Sequence, residues 1–131
     1  MPFTIRAVRD DEIHDVRRLL VAGGWSGVRM EPENLAQLIA NARTAVVAVD
    51  DDGHVLGFAR ALGDGLFNGY LSMLVVDPSR RGEGIGRALV EHVMGANLDM
   101  TWVLRSRPEV RGFYEKLGFQ QSTVAMERVR R

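Results

Sequence analysis

The run Arg80-Arg81-Gly82-Glu83-Gly84-Ile85-Gly86-Arg87 sets three glycines and four positions of possible charge immediately before an apolar helix pattern. Such a run can grip an anion. A helix N-terminus leaves about four backbone N–H groups unpaired and carries roughly half a positive charge. Glycines let the backbone take φ > 0 and keep Cβ atoms away from an approaching ligand. Successive N–H groups then form a concave nest for phosphate oxygens. Arg80, Arg81 and Arg87 would add charge-assisted donors beside it. The plainer alternative is a tight strand-to-helix connector whose arginines only solvate the turn.

Two other glycine motifs do not fit. A P-loop needs G-x-x-x-x-G-K-[ST], and the turn contains no lysine. A dinucleotide fingerprint needs G-x-G-x-x-G in the first strand–helix–strand unit, whereas the spacing here is G-x-G-x-G at mid-chain. Asp99 lies at a tolerable distance for a ribose contact, but the glycine spacing outweighs it.

The composition narrows the chemistry. With no cysteine, disulfides, thiolate metal sites and a cysteine nucleophile are excluded. His14, His54 and His92 are scattered without ligand spacing, so no metal is expected. Basic and acidic residues balance at 17 each, which argues against a nucleic-acid partner bound through a broad basic face. No apolar run approaches a membrane span and the N-terminus has no apolar leader core, so no membrane partner is expected and a cytoplasmic location fits. At 131 residues, 46% hydrophobic and 26% charged, residues 1–131 should form one globular domain.

The elements that would position the turn follow from periodicity. Phe3 to Val8 alternates as a first strand. Ile13, Val16, Leu19 and Leu20 recur at helical spacing between the caps Asp10-Asp11 and the stop Gly23-Gly24. A second helix starts at Pro32 and lines Leu35, Leu38, Ile39 and Ala42 on one face. "TAVVAVD" and "GHVLGFARAL" flank the turn residues Asp51-Asp52-Gly53 and predict a hairpin. "YLSMLVVD" is the next strand, followed by the glycine turn and a helix striped by Ile85, Ala88, Leu89 and Val93. "MTWVLR" reads as a short buried strand. "RPEVRGFYEKLGF" reads as a helix with Val110, Phe113, Tyr114 and Leu117 on one face and Gly118 as its stop. "STVAMERV" closes the chain as a strand that either pairs across a two-fold axis or leaves a charged edge, so both monomer and homodimer stand. The order is β-α-α-β-β-β-α-β-α-β, an α/β (α+β) domain with a mixed, mostly antiparallel sheet flanked by helices.

"VVDPSRRGEGIG" and, downstream, "FYEKLGF" together resemble the GCN5-related N-acetyltransferase (GNAT) superfamily. Arg81-Gly82-Glu83-Gly84-Ile85-Gly86 matches its R/Q-x-x-G-x-G/A motif, and the element order is similar along nearly the whole chain. "GFARALGDGLFNGYLSMLVVDP" is further similar to small plant-type members linked to serotonin and to protein lysines. The resemblance implies acetyl-CoA as cosubstrate and makes the glycine turn both connector and cradle. It implies that the CoA diphosphate rests on the turn, at Arg81, Gly82, Glu83, Gly84, Ile85, Gly86 and Arg87, and that pantetheine runs along Leu74, Val75 and Val76. A bulge is implied there, splaying that strand from the next.

By the same resemblance Tyr114 is the general acid for the departing thiolate. A phenol of pKa about 10 keeps its proton at neutral pH, where a thiol of about 8.5 needs one. Packing beside Phe113, Leu117 and Phe119 is the other reading of Tyr114, and the two are compatible. Many relatives carry a glutamate base on the strand before the turn, but here that strand offers Tyr70 and Ser72. Asp64, directly or through water, and then a water chain at Tyr70 are the substitutes. Where relatives place an asparagine before the last helix, this chain has Ser106-Arg107. Trp25, between the first two helices, is either an aromatic wall for an acceptor amine or a cover for the sheet. The expected acceptor is a small-molecule amine, with a protein amine next and a non-catalytic acyl-CoA sensor as the competing class.

Overall fold

The computed structural model describes residues 2–131. Five strands form one sheet in sequence order: β1 (Thr4–Ala7), β2 (Thr44–Val49), β3 (Val55–Gly63), β4 (Asn68–Val76) and β5 (Thr101–Leu104). The first four pair antiparallel, as the short turns between β2, β3 and β4 require for those three. β4 and β5 pair parallel, with the glycine turn and a helix between them. The hairpin between β2 and β3 turns at the predicted place, where Gly53 takes φ 82° and its N–H donates to the Asp50 carbonyl at 3.0 Å.

Helices cover both faces. Helices α1 (Ile13–Ala22) and α2 (Pro32–Ala40) bury Val16, Leu19, Leu20 and Leu35 against Val47, Phe58, Met73 and Val75. On the other face, α3 (Ile85–Met94) buries Ile85, Leu89, Val90 and Val93 against Val46, Ala59, Ala61 and Leu71. Helix α4 (Arg111–Glu115) lays Phe113 and Tyr114 on that second cluster. The alternation of Val46 and Ala48 to one face with Val47 and Val49 to the other is the two-residue period of a strand buried on both sides.

Three expectations change. The last helix is a 3-10 turn at Pro108–Val110 followed by the short α4, and Val110 is exposed. Pro108 suits the first position of either helix type, and the Val110 N–H bonds the Arg107 carbonyl three residues back at 3.2 Å, so the opening turn is 3-10 and the α-helix begins at Arg111. The closing strand does not form. The Ser122 hydroxyl accepts from the N–H of Val124 at 3.1 Å and of Ala125 at 2.7 Å, so a local turn captures amides a ladder would need. Consequently β5 is an edge strand and not a buried one, with Thr101 and Val103 exposed.

Candidate functional site

β4 pairs with β5 only from Asn68 to Leu71, and Ser72 to Val76 continue with no partner on that edge. The divergence begins at a bulge. Arg60 of β3 pairs with Met73 and the next residue, Ala61, with Leu71, so Ser72 is the extra residue. Ser72 and Met73 therefore both face the α1–α2 layer. Met73 joins that core, and the Ser72 hydroxyl accepts from Arg60 Nη1 at 2.8 Å.

Beyond the bulge, the ladder decides which backbone groups are available. The Asp77 N–H donates to the Leu56 carbonyl of β3 at 2.8 Å. Alternation then turns the Val75 groups toward β3 as well, and those of Leu74 and Val76 toward the open edge. Of the three expected backbone partners, Leu74 and Val76 are placed to act, while Val75 contributes its buried side chain to the core.

The glycine turn lies at the end of this edge. Gly82 (φ 82°) and Gly84 (φ 83°) are left-handed, and a Cβ at either would meet nothing within 4 Å. Gly84 caps α3 without any side-chain hydrogen bond, and the first intrahelical bond is Ala88 N–H to the Gly84 carbonyl at 3.1 Å. The N–H groups of Gly84, Ile85, Gly86 and Arg87 are thus the orphaned donors of the helix N-terminus. The arginines divide their work. Arg80 is bidentate to Glu83 at 2.9 and 3.0 Å, and Arg87 meets Glu91 at 2.7 Å. Arg81 forms no ion pair or side-chain hydrogen bond with any of the described residues. Ile85 is buried and anchors the turn to the core.

Helix α4 docks onto the same corner. A Cβ on Gly86 would lie 3.2 Å from Phe113 Cζ and 3.6 Å from Val76 Cγ2, so the bare glycine lets the Phe113 ring seat between turn and strand. Tyr114 follows, half-buried, edge-on to Phe113 at 5.0 Å and to Phe119 at 5.8 Å between ring centroids. Burial raises its phenol above the usual range. Its hydroxyl makes no hydrogen bond to the described residues. The packing expected of Tyr114 beside Phe113 and Phe119 is met there.

The remaining expected residues separate. The Asp64 Oδ1 accepts from the N–H groups of Leu66, Phe67 and Asn68 at 2.8, 2.7 and 3.1 Å. Those donors hold its carboxyl below the usual carboxylate range, so it fastens the β3–β4 turn and is a weak base. Trp25 packs partly buried on the α1–α2 core, which fits the covering role. Tyr70 lines a cavity of about 860 Å³ with Arg29, Val103, Leu104, Arg105 and residues 125–130 of the C-terminal segment. Ser106 Oγ donates to the Arg107 carbonyl, and a Cβ on Gly24 would lie 3.0 Å from Arg107 Nη2. Arg107 thereby bridges the exit of β5 and the α1–α2 connection.

Arg60 was not singled out from the sequence. It is 6% exposed and donates from Nε to the Leu38 carbonyl at 2.9 Å and from Nη1 to Ser72, with no carboxylate partner among the described residues. Burial lowers its pKa, opposed by a charge interaction with Tyr70. A single charge inside an apolar strand flanked by predicted strands on both sides was the available signal. Among the described residues, Asp50, Asp52 and His54 bring ligand atoms within 4.8 Å of one another. The Asp50 carboxylate is already engaged by the N–H groups of Asp52 and His54, both at 2.9 Å, in fastening the hairpin. Among the described residues no helix is long and apolar enough to cross a membrane.

Known proteins resemble this chain in sequence and fold. A family model described as an acetyltransferase (GNAT) domain matches residues 41–121. The chain is 38% identical over 100 residues to serotonin N-acetyltransferase 2, chloroplastic, of Oryza sativa subsp. japonica, covering 70% of this chain and 48% of that protein. It is 33% identical over 93 residues to the peptidyl-lysine N-acetyltransferase YjaB of Salmonella typhimurium, covering 70% of this chain and 61% of that one. The chain thus spans about half to three-fifths of the length of these relatives. Its fold matches a GNAT-family acetyltransferase from Streptococcus pneumoniae at 25% identity with a TM-score of 0.76, covering 99% of this chain and 98% of that one.

Proposed function

The chain belongs to the GNAT acetyltransferase family, and from that membership we propose that it transfers the acetyl group of acetyl-CoA to the primary amine of a small molecule. One observation carries the reading: the open edge of β4 runs directly into four orphaned helix N–H groups behind two left-handed glycines. That arrangement fits acetyl-CoA along its length. The amides of Gly84 to Arg87, with Arg81 beside them, hold the diphosphate, and Gly82 and Gly84 keep Cβ atoms out of its way. The outward groups of Val76 and the Leu74 carbonyl bond the pantetheine amides as an added strand would.

Acetyl-CoA supplies an activated thioester; the chain supplies orientation and proton traffic. An N–H on the open edge, that of Leu74, points at the thioester carbonyl and stabilises negative charge developing on its oxygen, a contribution of about 3 kcal/mol. The neutral amine forms a bond to the carbonyl carbon, the carbon–sulfur bond breaks, and sulfur takes the proton of Tyr114. The amine's own proton leaves through water at Tyr70, since Asp64 is occupied by the turn. Tyr114 is the catalytic acid and Tyr70 the first polar group on the exit route.

The test is release of free thiol from acetyl-CoA across a panel of primary amines. Thiol should appear only when an accepted amine is present. CoA at 100 times its Kd should stabilise the protein by about 2.7 kcal/mol. If neither CoA nor acetyl-CoA moves the melting temperature, the reading fails. Tight CoA binding without turnover of any amine or peptide would make the chain a sensor.

A further inference from the structure

We propose that the acceptor amine carries an anionic group, a carboxylate or a phosphate, held by arginines of the cavity beside Tyr70. This rests on the acetyl-transfer reading and narrows it. The cavity of about 860 Å³ is lined by four arginines, Arg29, Arg105, Arg128 and Arg130, against one acid, Glu127. Glu127 is already paired with Arg105 at 2.8 Å. The guanidinium groups of Arg29, Arg128 and Arg130 have no carboxylate within 4.0 Å among the described residues. A chain with equal numbers of acids and bases has concentrated unpaired cations on one cavity.

A fifth cation stands behind Tyr70. Arg60 is buried on the α1–α2 side of the sheet, and its hydrogen bonds go to a carbonyl and a hydroxyl, not to an acid. A buried charge without a counterion is costly, and its field extends into the adjacent space. Like charges converging on one cavity repel each other, and an anion placed among them relieves that repulsion. A ligand with only an ammonium group is disfavoured there, as is a lysine within a basic peptide. A zwitterionic amine enters with its anionic end toward Arg29. The same positive field disfavours the ammonium form of the amine and so eases the proton loss that no carboxylate on β4 is present to drive.

Matched acceptors test this by thiol release: 4-aminobutyrate against n-butylamine and 1,4-diaminobutane, and O-phosphoethanolamine against ethanolamine. The anionic member of at least one set should have a kcat/KM about ten-fold or more above its neutral partner, as expected for one charge-assisted contact. The two sets distinguish carboxylate from phosphate. Arg29→Ala should collapse that ratio toward one and Arg29→Lys should restore part of it, while Arg18→Ala, at an exposed α1 residue beside Asp15 that does not line the cavity, should leave it unchanged. Preference for the neutral or dicationic amine, or a ratio indifferent to Arg29→Ala, overturns the inference but leaves acetyl transfer standing. If no amine is turned over, binding of the same compounds to the CoA-saturated protein decides. Arg29-dependent binding of an anionic compound keeps the anion site while the acetyl-transfer reading falls, and no binding of either anionic compound overturns the anion site as well.

Discussion

Replacing Tyr114 with Phe isolates chemistry from packing. The ring stands edge-on to Phe113 and Phe119, with interplanar angles of 77° and 76°. Such pairs contribute about 0.5–1.5 kcal/mol each, and phenylalanine keeps both. The hydroxyl has no hydrogen-bond partner among the described residues, so its loss leaves no buried group unpaired, and stability should change by less than about 0.5 kcal/mol. CoA affinity should hold, because the proposed diphosphate and pantetheine contacts lie on the turn and on β4. A general acid contributes about 10²- to 10⁴-fold. A thiolate is a fair leaving group, so the lower end applies: a fall in kcat of about 10²-fold, or about 2.7 kcal/mol of barrier. Burial raises the phenol pKa, so the wild-type proton is retained through neutral pH. The acidic limb of the rate profile, set by the amine, should not move in the variant. Thiol release at saturating acetyl-CoA, CoA titration calorimetry and a melting curve complete the set. A kcat within about three-fold of wild type refutes the acid role. A drop matched by weaker CoA binding or a lower melting temperature shows that the ring, and not its proton, was at stake.

Three further outcomes follow from the geometry. Gly84→Ala puts a Cβ on a residue at φ 83°, a strain of about 1–2 kcal/mol; the melting temperature should fall by several degrees and CoA affinity about ten-fold or more, by calorimetry. Gly69→Ala places a Cβ 2.5–2.7 Å from the Trp102 ring, which lies flat over that glycine where β4 and β5 pair; overpacking of about 1–3 kcal/mol should appear in denaturant unfolding. Glu12, buried and held by Arg6 at 2.7 and 2.8 Å, has its carboxyl lowered first by those hydrogen bonds. Its stabilisation is therefore full above the unfolded value of about 4.3 and is lost as pH falls through the lower folded value. Glu12→Gln should cost about 1–3 kcal/mol at neutral pH and flatten the decline of stability below about pH 4, seen in melting curves across pH.

The parts of the fold carried by local pattern were legible in the residues. The period-two runs gave β2 to β4, and the glycines gave the turn, because φ > 0 at Gly82 and Gly84 is a constraint on residue type. Features made by tertiary contact were not. A bulge on this strand was implied by the resemblance alone: nothing in "YLSMLVV" marks the break in alternation at Ser72, whose hydroxyl accepts from Arg60 on the same face as Met73. Asp64 looked free as a carboxylate, yet the turn it heads supplies three N–H donors that only the folded backbone brings together. Trp25 in a glycine-flanked loop offered two roles, and the packing of α1 on the sheet favours the covering one. "STVAMERV" has the composition of a strand, but a strand needs amides free to pair, and Ser122 had a closer claim on two of them.

That missing strand bears on the acceptor site. A strand added beside β5 would sit about 4.8 Å away and close over the outer edge of Val103. The C-terminal segment instead leaves that side of β5 unpaired, is tied back by Arg105 to Glu127 at 2.8 Å, and lines with β5 the cavity that Tyr70 and Arg29 share. The segment contributes Arg128 and Arg130 to its wall, so the failure to pair both opens the cavity and charges it. An exposed ion pair of this kind adds about 0–1 kcal/mol, too little to fix the segment rigidly. Removing residues 122–131 should therefore leave the sheet and the CoA turn intact, with the CoA-induced rise in melting temperature preserved, while the selectivity among amines is lost. A truncated chain that no longer binds CoA would show that the tail supports the fold and not the acceptor.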